Sequence, residues 1–454
     1  MNQLVHLFHR IRTAALPLAF AMPVVRLLGF VIVTAYALRT LNPGDMGLWY
    51  VLQQIASLSA AIELGFGATV GRHASYYAAG SEEVPTFGLA AKLTANSSPR
   101  FDLLAGLVSA CRRLYSYFGA ASVILALVAG GLWLTHGEAS MLQTRSQFAA
   151  YVLMAFGAGF NLFGLYWLAI LLGINQPRNY YAFMIVGLLV NYSIALLGLW
   201  SGLGVAALAS GYVIWNIVPR VLARHKILRT IPASTWAHVK RARLATIWPI
   251  TWRGGLATLS SSFTIPITTV ICARVADLDT AGSYGLCMQI ALLIHVLAAS
   301  WQSVKLPLIA QWQAQHRFSD IRRLCRQRMA LSLLTYAAAA AAIIALGPWV
   351  LSLIGSRTPP LPTAQWIALM FVVGLDLWVG LHSAALLTEN RVPHLAPFVV
   401  SALISAPLAW FLGRLWGVWG LLAAPAIAQI TWSYWWTPML FWRRVSRKRE
   451  LENA

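Results

Sequence analysis

RTLNPGDMGLWYVLQQI, residues 39–55, lies between two long apolar runs, and the whole chain is read outward from it. Pro43 and Gly44 punctuate a tight turn, and Asp45 is placed to cap the helix that follows through its side-chain oxygen. The pattern returns as RVADLDTAGSYGLCMQI at residues 274–290. At a constant offset of 235, Arg39 matches Arg274, Gly47 matches Gly282, Gln54 matches Gln289 and Ile55 matches Ile290. Asp45 becomes Thr280, another capping type, and Trp49 becomes Tyr284, another interfacial aromatic. Identities and matched roles together point to a duplicated half.

Composition sets the solvent. Of 454 residues 59% are hydrophobic and only 10% charged, and apolar runs near twenty residues recur throughout. A helix needs about 20 apolar residues to cross about 30 Å of hydrocarbon, so this is the pattern of an all-α polytopic membrane protein. The short alternating segments of a β-barrel are missing. The N-terminus imitates a signal peptide, with Arg10, Arg12 and an Ala19-x-Ala21 site, but its apolar run continues to Leu38 and reads as a first spanning helix.

Twelve spans are expected, at about 13–38, 46–70, 114–135, 148–172, 180–200, 205–221, 247–272, 281–304, 329–354, 364–388, 395–414 and 418–442. The formal charge of +21 is distributed by topology, which argues against nucleic acid. With both termini inside, inner segments carry 27 of the 34 Lys and Arg. The outer loops carry five (Arg39, Arg145, Arg274, Arg357, Arg414), and Arg26 and Arg253 sit within helices. Six spans per half give the halves the same orientation, related by a pseudo-twofold axis along the membrane normal. A second echo at offset 216 pairs Pro177 with Pro393, Trp200 with Trp416 and Gly204 with Gly420. The expected lobes are 1–230 and 231–454, the latter ending in a basic tail.

Ionisable groups inside the spans carry the functional information, because each costs about 2.5–3.5 kcal/mol to insert. Arg26 lies thirteen residues from both Arg12 and Arg39, near mid-membrane. Arg253 lies in the seventh span. Two guanidiniums on the leading helices of two halves suggest a substrate-anion site, since Arg grips phosphate with a planar, permanent charge. Glu63, in IELGFG, is either the partner of Arg26 or a proton carrier. Asp376, in VGLDLWVG, has no cation nearby in sequence and reads as a coupling-proton site or an internal hydrogen-bonding group. His295 and His382 read as interior histidines first and proton relays second. Asn161 and Asn191 are placed to hydrogen-bond between helices. Cys111, Cys272, Cys287 and Cys325 lack metal-ligand spacing, and no cofactor or metal is expected. Neither a GxxxxGK[ST] loop nor an HExxH or GxSxG motif occurs, so nothing marks an ATPase or a hydrolase.

The segment LRTLNPGDMGLWYVLQQIASLSAAIELGFGATVGRHASYYAAG, its weaker copy at 274–317 and the two six-helix halves resemble the polysaccharide-transport branch of the MOP exporter superfamily. O-antigen and exopolysaccharide flippases are the members it most resembles. The resemblance implies a MATE/MOP-like fold and a multi-pass protein of the bacterial inner membrane. It implies a carrier that moves undecaprenyl-diphosphate-linked oligosaccharide between leaflets by alternating access, for lipopolysaccharide or exopolysaccharide synthesis. It further implies a cationic cavity between lobes lined by spans 1, 2, 7 and 8, which carry Arg26, Glu63, Arg253 and His295. Membrane lipids, a polysaccharide polymerase and a chain-length regulator are the implied partners. Two alternatives stay open. A cation-coupled multidrug or small-solute antiporter of the same superfamily would want an acidic cavity, whereas Arg26 and Arg253 bias this one positive. An integral-membrane polymerase or ligase would want a large outer loop, and the longest here, 136–147, is short.

Overall fold

The computed structural model describes residues 2–81, 98–136, 141–238, 248–315, 317–388 and 392–453. The expected loop cations Lys92, Lys240, Arg241 and Arg243, the start of the seventh span at 247, and part of the outer loop 136–147 lie outside these residues. Among the described residues every regular element is helical. Among the described residues ten helices are long and apolar enough to cross a membrane. Their outer faces carry large apolar side chains, such as Phe20, Leu28, Ile124, Leu334 and Leu403, a surface suited to lipid and costly in water.

The chain starts with α1 (Asn2–Thr40) and turns into α2 (Pro43–Ala60). Asn42, not Asp45, caps α2: its Oδ1 accepts the Asp45 N–H at 2.6 Å. Pro43 explains the shift, because proline suits the first helical position, where no N–H is needed, and this pushes the cap back to Asn42. The second copy does the same. α10 (Leu278–Ser303) is capped by Asp277, which accepts the Thr280 N–H at 2.6 Å. Asn42 and Asp277 are 235 apart, as are the helix starts Pro43 and Leu278.

α2 is followed by a single 3-10 turn, Ala61–Glu63, and by α3 (Phe66–Ala78). The remainder of the first half is α4 (Phe101–Thr135), α5 (Arg145–Gly173), α6 (Pro177–Trp200) and α7 (Val205–Thr230). The expected polar loop 71–112 is therefore largely helix where it is described. Leu104, Ala105, Leu107, Val108 and Cys111 pack against Val70, Ala74, Ile170, Leu171 and Ile227, so apolar burial extends α4 well before the expected 114. Likewise α7 runs nine residues past the expected 221.

The second half contains α8 (Trp248–Thr264) and α9 (Ile267–Val275), broken where Pro266 has no N–H to donate, then α10. Next come α11 (Leu306–Ala314), α12 (Phe318–Leu353), α13 (Thr363–Leu387) and α14 (Leu395–Trp416). α15 (Val418–Ala428) and α16 (Tyr434–Asn453) are joined by a π-helical turn, Gln429–Ser433. The two expected spans missing from the ten long helices are the broken stretches, 43–78 and 418–453.

The chain divides into two compact units: Met1–Leu41 with Ile55–Gly255, and Asn42–Gln54 with Leu256–Ala454. Neighbours repeat between them. In unit 1, α1 packs on α6, α3 on α4, α4 on α5, and α5 and α6 on α7. In unit 2, α9 packs on α14, α10 on α12, α12 on α13, and α13 and α14 on α15. Gly204 and Gly417 are the equivalent caps of α7 and α15, with φ/ψ of 63°/−142° and 56°/−133°. They lie 213 apart, so the structure replaces the expected match of Gly204 with Gly420. The connection Ser201–Gly204 is shortened to Gly417 alone, and the offset falls by those three residues.

The first turns of α2 and α10 pack on each other inside unit 2. A Cβ on Gly47 would strike the Leu278 carbonyl, and one on Gly282 would strike the Pro43 carbonyl. The contact is reciprocal at offset 235, the signature of a local twofold relation between the copies.

Candidate functional site

In unit 1 the break between α2 and α3 builds a carboxylate site. Leu64 and Gly65 adopt left-handed backbone, φ 50° and 75°, which stops the helix and frees the N–H groups opening α3. Glu63 takes them: Gly65 N–H donates to Oε2 at 2.8 Å and Gly67 N–H to Oε1. Tyr115 O–H, from α4, donates to Oε1 at 2.7 Å. These donors and the positive end of α3 hold this carboxylate.

Arg26 is exposed on α1, nine residues beyond Pro17 and fourteen before Thr40, or about 14 and 21 Å along the axis. Tyr192 O–H fastens the α1 backbone there, donating to the Arg26 carbonyl at 2.9 Å. No ion pair joins Arg26 to Glu63 among the described residues. Arg253 is exposed on α8 with its guanidinium 5.5 Å from the Trp252 ring centre, a cation–π arrangement.

Arg220 is the residue that sequence reasoning missed. The charge pattern counts it with the inner basic fringe, yet the structure buries it to 7% exposure on α7. Its Nε donates to the Asn161 carbonyl at 3.1 Å, Nη1 to the Trp215 carbonyl at 3.3 Å and Nη2 to Asn161 Oδ1. Asn161 thus joins α5 to α7, an interhelical role as expected of it. Arg220 lines a cavity of about 650 Å³ with Glu63, Tyr180, Met184 and a wall of leucine and glycine from α3 and α5.

In unit 2 the structure brings His295, from α10, to Asp376, from α13. Nε2 and Oδ2 are 3.6 Å apart, beyond hydrogen-bond length, and no other partner among the described residues satisfies that nitrogen. The side chains are 21% and 35% exposed, while the Nε2 atom that faces Asp376 is itself buried. Asp376 also borders a cavity of about 20 Å³, room for about one water, together with Ser261, Thr264, Ser401, Gln429 and Ser433. Gln429 is buried and neither amide atom has a partner among the described residues, while Ser401 and Ser433 share a 2.7 Å hydrogen bond. The π-helical turn brings Gln429 and Ser433 to this cavity. No motif announces them.

His382 is fully engaged. Its Nδ1 meets the Trp378 carbonyl at 2.8 Å, and Trp442 Nε1–H donates to Nε2 at 3.1 Å. An indole only donates and a carbonyl only accepts, so this is a neutral imidazole with its proton on Nδ1. It is a core histidine with no free nitrogen to relay a proton. Among the described residues no group of three His, Cys, Asp or Glu gathers to hold a metal.

No protein-family model matches the chain, and no curated protein does. Solved structures do match over nearly its full length. An inward-facing multidrug-resistance MATE transporter of the MOP superfamily superposes with a TM-score of 0.64 at 16% identity, covering 94% of this chain and 99% of that one. A MATE multidrug transporter solved in complex with a ligand gives 0.63 at 15%, covering 95% of each. A MOP superfamily transporter from Pyrococcus furiosus, described as having a binding pocket of reversed polarity that suggests a different function, gives 0.62 at 15%, covering 97% of each. The chain has the fold of the MOP superfamily transporters.

Proposed function

We propose that this chain is a membrane transporter, not an enzyme, that moves an anionic, lipid-linked oligosaccharide by alternating access, with His295 and Asp376 carrying the coupling proton. One observation supports the cargo's charge above all. Of thirteen acidic residues only Glu63 and Asp376 fall within the expected spans, and each faces a group of its own, the Gly65 N–H and Tyr115 O–H for Glu63 and His295 for Asp376. Arg26 and Arg253 have no carboxylate within 4.0 Å among the described residues, so they keep their charge for a ligand. A guanidinium fork suits a diphosphate, and the proposed cargo is an undecaprenyl-diphosphate glycan for surface polysaccharide synthesis. On this reading the protein sits in the bacterial inner membrane with both termini cytoplasmic, beside a polymerase and a chain-length regulator.

The reading is tested by surface glycan in export-deficient cells complemented with variants and normalised to carrier abundance. Arg26→Ala should abolish export at normal protein level, and Arg26→Lys should restore it in part. Full export in Arg26→Ala, or its recovery on adding Glu63→Gln, would sink the anion role. The second reading is a multidrug antiporter, favoured by the fold shared with the MATE multidrug transporters. Resistance to cationic dyes conferred by this chain, with no glycan phenotype, would decide for it.

A further inference from the structure

We infer that the side cavity of unit 1 binds an anionic phospholipid, its phosphate on Arg220 and its chains along the leucine wall. The site stands apart from the cargo and holds whatever the transporter carries.

Arg220 has five N–H donors, and three are spent on two carbonyls and an amide oxygen. Those acceptors satisfy hydrogen bonds but leave the charge whole, and no carboxylate is within ion-pair distance among the described residues. A guanidinium 7% exposed and without a counter-charge costs several kcal/mol to bury unless an anion joins it. The chain makes room for it nonetheless. Gly164 lies under the Arg220 stem, where a Cβ would come within 2.8 Å of the arginine Cβ.

The cavity beside it, about 650 Å³ and open on one side, is of ligand size. Leu165, Leu168, Leu172 and Met184 make its wall apolar, which suits acyl chains and excludes a free, hydrated anion. Two spare N–H donors meet two oxygens of one phosphate. Glu63 shares the lining, but its charge is spread over three donors of its own. Beyond Arg220 the same helix carries Arg224, Lys226 and Arg229, a basic end that attracts anionic headgroups. That gradient favours a net negative lipid over a zwitterionic one.

The test is thermal unfolding of the purified full chain in detergent, with lipid retention read by native mass spectrometry. Three additives are compared: phosphatidylglycerol, phosphatidylcholine and inorganic phosphate. Phosphatidylglycerol should raise the wild-type Tm by a few degrees and stay bound, through linkage to the folded state. Arg220→Met should lose both effects, and Arg220→Lys should keep part. Leu172→Trp fills the cavity without touching Arg220 and should lose the bound lipid while the protein stays folded. Should Arg220→Met fail to fold, Leu172→Trp decides alone. Protection that survives in Leu172→Trp, or that phosphatidylcholine or inorganic phosphate matches, would overturn the proposal.

Discussion

Glu63 and Asp376 are the two carboxylates set within spanning stretches, and their surroundings differ in kind. Glu63 stands at a break in its helix and receives two backbone N–H groups and a tyrosine hydroxyl. Every donor is a fixed part of the fold, so the carboxylate works as the cap of α3. Asp376 lies inside an unbroken helix, faces one imidazole at 3.6 Å, and borders a polar cavity with an unsatisfied Gln429. Nothing there saturates it. The repeat supplies neither Glu63 nor His295 twice: at offset 235 Glu63 falls on Ala298, inside continuous α10, and His295 falls on Ala60. The scaffold is duplicated and the charges are not, so each unit has its own task. One carboxylate is a joint, and the other is the one to which the proposed function gives the coupling proton.

The largest effect expected is therefore from Asp376→Asn. In proteoliposomes loaded with a pH-sensitive dye, proton flux should fall at least about 100-fold, the scale on which a lost proton carrier is felt. Glu63→Gln should stay within about twofold of wild type in the same assay, since a cap needs only an acceptor. The comparison breaks if the two variants behave alike.

His295→Gln should be intermediate, cutting flux about tenfold, since Asp376 then loses the imidazole it faces. A flux equal to wild type would remove His295 from the pair. Tyr115→Phe should act on the joint alone, costing about 1–3 kcal/mol of stability because a hydrogen bond to a partly buried carboxylate is left unmade. Denaturation with normal flux in folded protein would show this. The smallest effect belongs to His382→Gln, about 1 kcal/mol of stability with flux unchanged, since one of its two hydrogen bonds can be kept.

Much of the scaffold was legible in residues 39–55. The turn, the helix after it and the copy at 235 all reappear in the starts of α2 and α10. The cap was misplaced by three residues because Asp45 and Asn42 are both capping types, and only the fit of Pro43 at the first position separates them. Gly47 and Gly282 were expected to serve equivalent points. That they meet each other is a tertiary fact that hydropathy cannot hold.

The sites were less legible, for a physical reason. A spanning pattern records how apolar each residue is, not where a helix breaks or which neighbour crosses it. Asp376 had no cation nearby in sequence because His295 lies 81 positions away on another helix. Arg220 looked like one more inner basic residue, since only α5 packing beside it, through Asn161 and Gly164, shows that it is buried.

The most direct test is infrared difference spectroscopy of the reconstituted protein on acidification. We predict that a protonated-carboxyl band which grows on acidification is present in wild type and in Glu63→Gln, and is missing in Asp376→Asn. A band that survives Asp376→Asn and vanishes in Glu63→Gln would contradict the account, because the joint would then be the proton site.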